Sequence, residues 1–273
     1  MKNNSCEEKI MSVKFVRGFI LFLITSAMML GAAASYATET SQAGRPLQVG
    51  MTPDFPPLAF KQGDTLAGVE VELAMMLGKE LDRPVKFVEL KWDTLIPALL
   101  EGKIDIIMSS MTATRERNVR IAFSDSYLKS GLVAGVRTGD AIYYPTVESI
   151  TNFSDVVGIV PNTTSEAFVK KFFPLAQQHY LKYPRQAVNA LEQRWINMFI
   201  CDAPTMIWLV SENDSIEGIW TPLNEEQLAW GIRKEDQNLL ARVNVALAQL
   251  RSDGRLDMVL TKWLPKKYLE KMK

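Results

Sequence analysis

The sequence predicts an α/β protein, and three features carry that prediction. From residue 45 onward, short β-branched runs alternate with longer amphipathic stretches. Breakers such as Pro53, Gly68 and Asp253-Gly254 punctuate them. Apolar residues make up 47% and charged residues 23% of the 273, the balance of a folded globular chain.

Leu47–Met51 reads as the first strand, stopped by Pro53. Glu70–Leu81 follows as a helix, with Val71, Met75, Leu77 and Leu81 near helical spacing. Val85–Leu90 is a strand, Asp93–Glu101 a helix with Leu95, Ile96, Leu99 and Leu100 apolar, and Ile104–Met108 a buried strand. Past Gly131–Val136 the pattern restarts. Val156–Val160 is a strand, and Asn162–Glu166 opens a helix through Phe173 with Ser/Thr caps and an early acid. His179–Lys182 is a strand, Gln186–Arg194 a helix, Met198–Cys201 a strand and Ala203–Val210 a helix. The apolar segment Leu228–Ile232 precedes two amphipathic helices, Gln237–Arg251 and Arg255–Trp263. The chain thus builds one lobe, builds a second and returns. Residues 46–133 with 230–273 are assigned to the first lobe and 134–229 to the second. Gly131–Arg137 and Leu228–Arg233 are placed to cross between them.

Lys14 and Arg17 precede the uncharged run Gly18–Ala34, which ends in Ser35-Tyr36-Ala37. This is the pattern of an export signal cleaved after Ala37, and the run is short for a membrane span. Cys6 falls inside the leader, so the processed chain keeps Cys201 and no internal disulfide is expected. Cys201 reads as a buried structural thiol. Lys+Arg and Asp+Glu number 31 each, which gives no basic field for nucleic acid.

The chemistry concentrates in Ser109-Ser110-Met111-Thr112-Ala113-Thr114-Arg115-Glu116-Arg117. A strand running into small hydroxyls and then a guanidinium is a carboxylate receptor: hydroxyls and helix N–H groups bind one oxygen, and an Arg fork grips the pair. Arg117 also admits the reading of a solvated basic turn with Arg115 and Arg120. Catalytic patterns are scarce. One histidine, His179, cannot make a His-rich metal site, and there is no phosphate loop, HExxH or GxSxG. No metal or cofactor is expected.

The ordered set of motifs resembles the family 3 periplasmic solute-binding proteins of polar amino-acid ABC transporters, over about residues 46 to 265. Val49–Pro57 looks like that family's first strand and aromatic loop. Gly68–Leu73 looks like its Gly-aromatic-acid-x-acid-Leu signature, with Val69 in place of a bulkier residue. Ile104–Arg117 followed by Phe123-Ser124-Asp125-Ser126-Tyr127 is the strongest match. The resemblance implies a two-lobed type II periplasmic-binding-protein fold, each lobe a mixed sheet flanked by helices, closing on a free amino acid. It implies Arg117 on the ligand carboxylate, Ser110, Thr112 and Thr164 as further donors, and Asp202 on the α-ammonium. Phe55 and Trp92 would sandwich the apolar part, and Thr52 would stand where relatives place a selectivity group. It also implies a monomer that serves a membrane ABC permease from the periplasm. Asp202 before Ala203-Pro204 fits an N-cap equally well, and the two roles are compatible. The alternative on the same fold is a secreted cyclohexadienyl dehydratase, which needs a protonated acid in the cleft. Glu166 is the candidate, although a helix N-terminus favours its ionised form.

Overall fold

The computed structural model describes residues 44–265. The leader expected over residues 1–37 and the segment 266–273 lie outside these.

The first pass of the chain forms β1 (Leu47–Met51), β2 (Asp54–Phe55), β3 (Ala59–Gln62), β4 (Thr65–Ala67), α1 (Val69–Glu80), β5 (Val85–Glu89), α2 (Leu95–Leu100), β6 (Ile106–Ile107), α3 (Arg115–Arg120), β7 (Ala122–Phe123) and β8 (Leu128–Ser130). The second pass forms β9 (Leu132–Arg137), α4 (Val147–Thr151), β10 (Val156–Ile159), α5 (Thr164–Phe172), β11 (Gln177–Tyr180), α6 (Gln186–Glu192), β12 (Met198–Asp202), α7 (Ala203–Glu212) and β13 (Ile216–Ile219). The return forms β14 (Glu226–Leu228), β15 (Gly231–Ile232), α8 (Gln237–Ser252) and α9 (Arg255–Trp263).

Two five-stranded sheets result, in the orders β5-β1-β6-β15-β7 and β11-β10-β12-β9-β13. Each is mixed in the same way: three parallel strands, then two joined antiparallel. In each, the fourth strand comes directly off a crossing between the sheets: β9 on the way out and β15 on the way back. Both crossings travel together, because β8 and β14 pair as a two-stranded antiparallel ribbon. The ribbon lies at Leu128–Ser130 and Glu226–Leu228, a few residues before the segments expected from sequence. Gly131–Arg137 and Leu228–Arg233 are extended as expected, but most of their length is spent as sheet strands. The small meander β2-β3-β4 also escaped the sequence reading. The strand expected at His179–Lys182 lies two residues earlier; it is a half-exposed edge, which leaves little hydrophobic alternation to fix its register.

Burial follows the apolar spacing. Helix α1 turns Leu73, Ala74 and Leu77 onto the first sheet, where α8 and α9 add Val243, Leu247, Val259 and Leu260. The other face of that sheet is covered by Leu95 and Leu99 of α2. Val157, Ile159, Met198 and Ile200 form the matching core of the second sheet with Val169 of α5.

One buried ion network ties the first sheet together. Asp105 Oδ2 accepts from Arg83 Nη2 at 2.6 Å and from the Gln48 N–H at 3.1 Å, and Asp105 Oδ1 lies 3.5 Å from Arg233 Nη2. Arg233 also donates to the carbonyls of Leu99 and Ile104. Removing one partner of a buried pair strands the other's charge. Asp105→Asn should therefore destabilise the protein by about 3–5 kcal/mol; urea unfolding with an unchanged midpoint would refute this role.

Candidate functional site

Open α/β sheets present ligands with the carboxyl ends of their parallel strands, where backbone groups and short loops converge. Both sheets here do so toward one cleft. The end of β1 leads to Phe55, the end of β5 to Trp92, and the end of β6 to Ser110, Thr112 and Arg117. Across the gap, the end of β10 leads to Thr163 and Thr164, and β12 ends in Asp202. These residues line a cavity of about 250 Å³ counted out to its mouth. Of the eight residues singled out from sequence, seven meet here. Thr52 does not: it is buried behind the wall, donating its hydroxyl to the Leu90 carbonyl at 3.0 Å and its N–H to Ser109 Oγ.

Arg117 is held before any ligand arrives. Thr114 caps α3 by accepting from the Arg117 N–H, and Arg117 Nη1 donates to the Thr112 carbonyl at 2.9 Å. The guanidinium stacks over Trp92, 5.2 Å from the ring centre. Arg115, by contrast, is exposed. Burial lowers the Arg117 pKa, while the charges of Glu226, Asp202 and Glu116 act the other way. Arginine stays protonated throughout.

Ser110 sits in the left-handed region, at φ 56°. Such backbone persists only where its surroundings fix it. The fixing group is Glu70, which accepts from the Ser110 N–H at 2.8 Å, the Tyr127 hydroxyl at 2.7 Å and Trp230 Nε1 at 2.9 Å. Ser110 Oγ itself is buried with no hydrogen-bond partner among the described residues.

Asp202 occupies the N-cap position of α7 but makes no side-chain cap bond. Its Oδ1 is buried without a partner among the described residues. A carboxylate oxygen in that condition is costly unless something completes it. Neighbouring Cys201 is buried and donates its thiol to the Asp202 carbonyl at 3.5 Å. Burial, then the Asp202 charge, pushes that thiol well above its ordinary range.

Phe55 and Trp92 touch each other, with ring centres 5.5 Å apart at 50°. They form one continuous aromatic wall, not two faces around a gap as the sequence reading expected. Trp92 Nε1 donates at 2.8 Å to the carbonyl of Asn162, a second-lobe residue at φ 61°; Arg117 Nη2 reaches the same oxygen at 3.4 Å. The lobes therefore meet at the mouth of the cleft.

Glu166 is not part of the lining. Burial pushes its carboxyl up, but bonds from Lys170 Nζ at 2.6 Å and the Asn162 N–H at 2.6 Å outweigh that and hold it below the usual range. Sequence reasoning missed Thr163, Glu70 and Glu226. Glu226 is 4% exposed and accepts from Thr112 Oγ1 at 2.7 Å and from Asn224 Nδ2 at 3.0 Å. In the sequence, Glu225-Glu226 looks like a solvated turn.

Two mixed sheets, joined by a paired crossing and facing one cleft with their strand ends, make a type II solute-binding protein. The chain belongs to the bacterial extracellular solute-binding proteins, family 3, whose sequence profile matches residues 47–266. It is 26% identical over 202 residues to the ABC transporter glutamine-binding protein GlnH of Bacillus subtilis (strain 168), covering 73% of each chain. Among solved structures it matches an ancestral amino acid-binding protein, a precursor of cyclohexadienyl dehydratase, with a TM-score of 0.75 and 32% identity over 80% of this chain and 95% of that one. An ancestral arginine-binding protein bound to arginine matches with a TM-score of 0.75 and 28% identity, over 81% and 99% of the two chains. The curated relatives are binding proteins, and the chain shares their solute-binding family.

Glu70 gives the site a pH signature. Burial raises its carboxyl from 4.5 to about 7 against the pull of Tyr127, Ser110 and Trp230. The folded state then keeps this proton longer than the unfolded state. Its contribution is complete below pH about 4.5 and lost as pH rises through about 7. At 1.36 kcal/mol per unit, the change is about 3 kcal/mol. Between pH 5 and 8, wild type should lose more unfolding free energy than Glu70→Gln; parallel profiles would exclude this assignment.

Proposed function

We propose that the chain captures a free amino acid by closing its lobes and delivers it to the membrane permease of an ABC transporter. The observation that carries this reading is the pairing of a pre-held guanidinium, Arg117, with a partnerless buried carboxylate oxygen of Asp202 across one small cavity. A zwitterion has the complementary ends.

In this reading Arg117 takes the α-carboxylate and Asp202 the α-ammonium. Ser110 contributes its unspent hydroxyl, and Thr164 donates from the start of α5. Thr112 acts through its carbonyl, which aims Arg117; its hydroxyl proton already belongs to Glu226. The Phe55–Trp92 wall covers the apolar part of the guest. Thr52 shapes that wall from behind, through Leu90 and Ser109. The cavity lining brings groups for both ends of one amino acid together. Because Arg117 and Asp202 belong to different lobes, a ligand holding both shifts the population toward the closed form.

Glu166, the acid named for the dehydratase alternative, is ion-paired and outside the lining. The names of the relatives support amino acids as the ligand class: glutamine for the Bacillus protein and arginine for the ancestral one. Their side chains differ, and the head group is what they share.

Thermal-shift screening of the twenty standard amino acids should find at least one that raises Tm, since ligand at 100 times its Kd adds about 2.7 kcal/mol. No shift with any of them would remove the assignment. Arg117→Ala and Asp202→Ala should each weaken that ligand by about 2–5 kcal/mol, roughly 30-fold to several-thousand-fold. Calorimetric titration showing wild-type affinity in either variant would move the head-group site elsewhere. Export and cleavage after Ala37 are expected as well, and N-terminal sequencing of the periplasmic fraction should begin at Thr38.

A further inference from the structure

The site holds one more acid than a zwitterion requires. Asp202 and Glu226 come from different elements, yet one segment fixes both. In the strand registers Asp202 lies opposite Leu132 and Glu226 opposite Ser130. Gly131 between them accepts from the Ala203 N–H at 2.9 Å. The Asn224 side chain closes the arrangement, accepting from the Leu132 N–H at 2.7 Å and donating to Glu226 Oε1 at 3.0 Å. The two carboxyl groups are thereby brought within side-chain hydrogen-bonding reach.

Two buried carboxylates facing each other do not both ionise without enough positive charge around them. The charged neighbours are Arg117, from α3, and Glu116 behind it. Tyr127 and Cys201 also feel the Asp202 charge, and burial keeps both protonated. The remaining groups on Glu226, Thr112 and Asn224, are neutral. One cation thus serves two acids, and the ligand carboxylate would engage that cation.

We propose that Glu226 is a positioning residue for Asp202: in the ligand-free protein it accepts a hydrogen bond from a protonated Asp202 carboxyl, and an arriving ammonium group displaces that proton to solvent. This rests on the amino-acid reading only for its second half. Burial pushes the Asp202 carboxyl well above the carboxylate range, the charge and hydrogen bond of Glu226 push it further, and Arg117 pulls back less. Ligand capture is then coupled to release of one proton, with affinity falling about tenfold per pH unit on the acid side of the Asp202 titration.

The test has two arms. Ligand-free protein carrying carboxyl-13C aspartate is titrated by NMR, with Asp202→Asn assigning the resonance. Asp202 should titrate well above the ordinary carboxylate range, and Glu226→Gln should lower its titration. An Asp202 that titrates within the ordinary carboxylate range in wild type, or is unmoved in Glu226→Gln, overturns the proposal. The wild-type titration decides even if the variant does not fold. In the second arm, L-glutamine and L-arginine are titrated calorimetrically at pH 6 in two buffers of different ionisation enthalpy. About one proton should be released per ligand bound; none released with measurable binding also overturns it. If neither amino acid binds, the choice of ligand is wrong, while the NMR arm still decides the role of Glu226.

Discussion

The backbone from Ser130 to Leu132 is the constraint on which the cleft depends. It passes between the sheets once, and the strands carrying Asp202 and Glu226 are both bonded to it. Asp202 hangs from one side through the β12–β9 ladder, and Glu226 from the other through the β14–β8 ladder. The fit leaves no room for a side chain at its centre: a Cβ on Gly131 would lie 2.4 Å from the Asn224 carbonyl oxygen. The same ribbon also holds the opposite wall. Ala113 N–H donates to the Gln227 carbonyl, and Ala229 N–H to the Met111 carbonyl, so the loop carrying Thr112 is stitched to the returning strand.

Preorganisation is the second theme. Arg117 donates Nη1 to the Thr112 carbonyl and Nη2 to that of Asn162, lies against an indole and sits in a capped helix, so little rotamer freedom is left to lose on binding. Glu70 does the same for Ser110 at one remove, through an N–H that no other geometry would aim correctly. Of the three buried side-chain atoms without a hydrogen-bond partner among the described residues, Ser110 Oγ and Asp202 Oδ1 belong to residues that line the cleft, and the third is Ser130 Oγ. A folded chain tolerates such orphans where they meet a guest.

Much of this was legible in the sequence. Strand-then-hydroxyl-then-arginine at Ile104–Arg117 is a local pattern, and local chemistry survives folding. Asp202 came from the family resemblance; its local signal, an acid at the junction of a strand and a helix, equally fits an N-cap. The aromatic residues were placed correctly, but the distance between them was not, since ring separation depends on two loops from different strands. Thr52 was misplaced because its position after β1 does not say which way the hydroxyl turns; the Leu90 carbonyl on the adjoining loop decided that. Glu70 was read as an acid of the Gly68–Leu73 signature at a helix start, with no role in the site. Its burial comes from Tyr127 and Trp230, the latter 160 residues away. Glu226 had no local signal at all, because only the pairing of the two crossings brings it inside.

The sulfur of Cys201 shows what the acidic corner does to its surroundings. Nucleophilic sulfur is the thiolate, and burial beside an acid suppresses that form. An exposed unpaired thiol would be open to mixed disulfides and chain-to-chain crosslinks. Here the residue becomes chemically quiet through folding, and alkylating reagents would find it only once the second sheet opens.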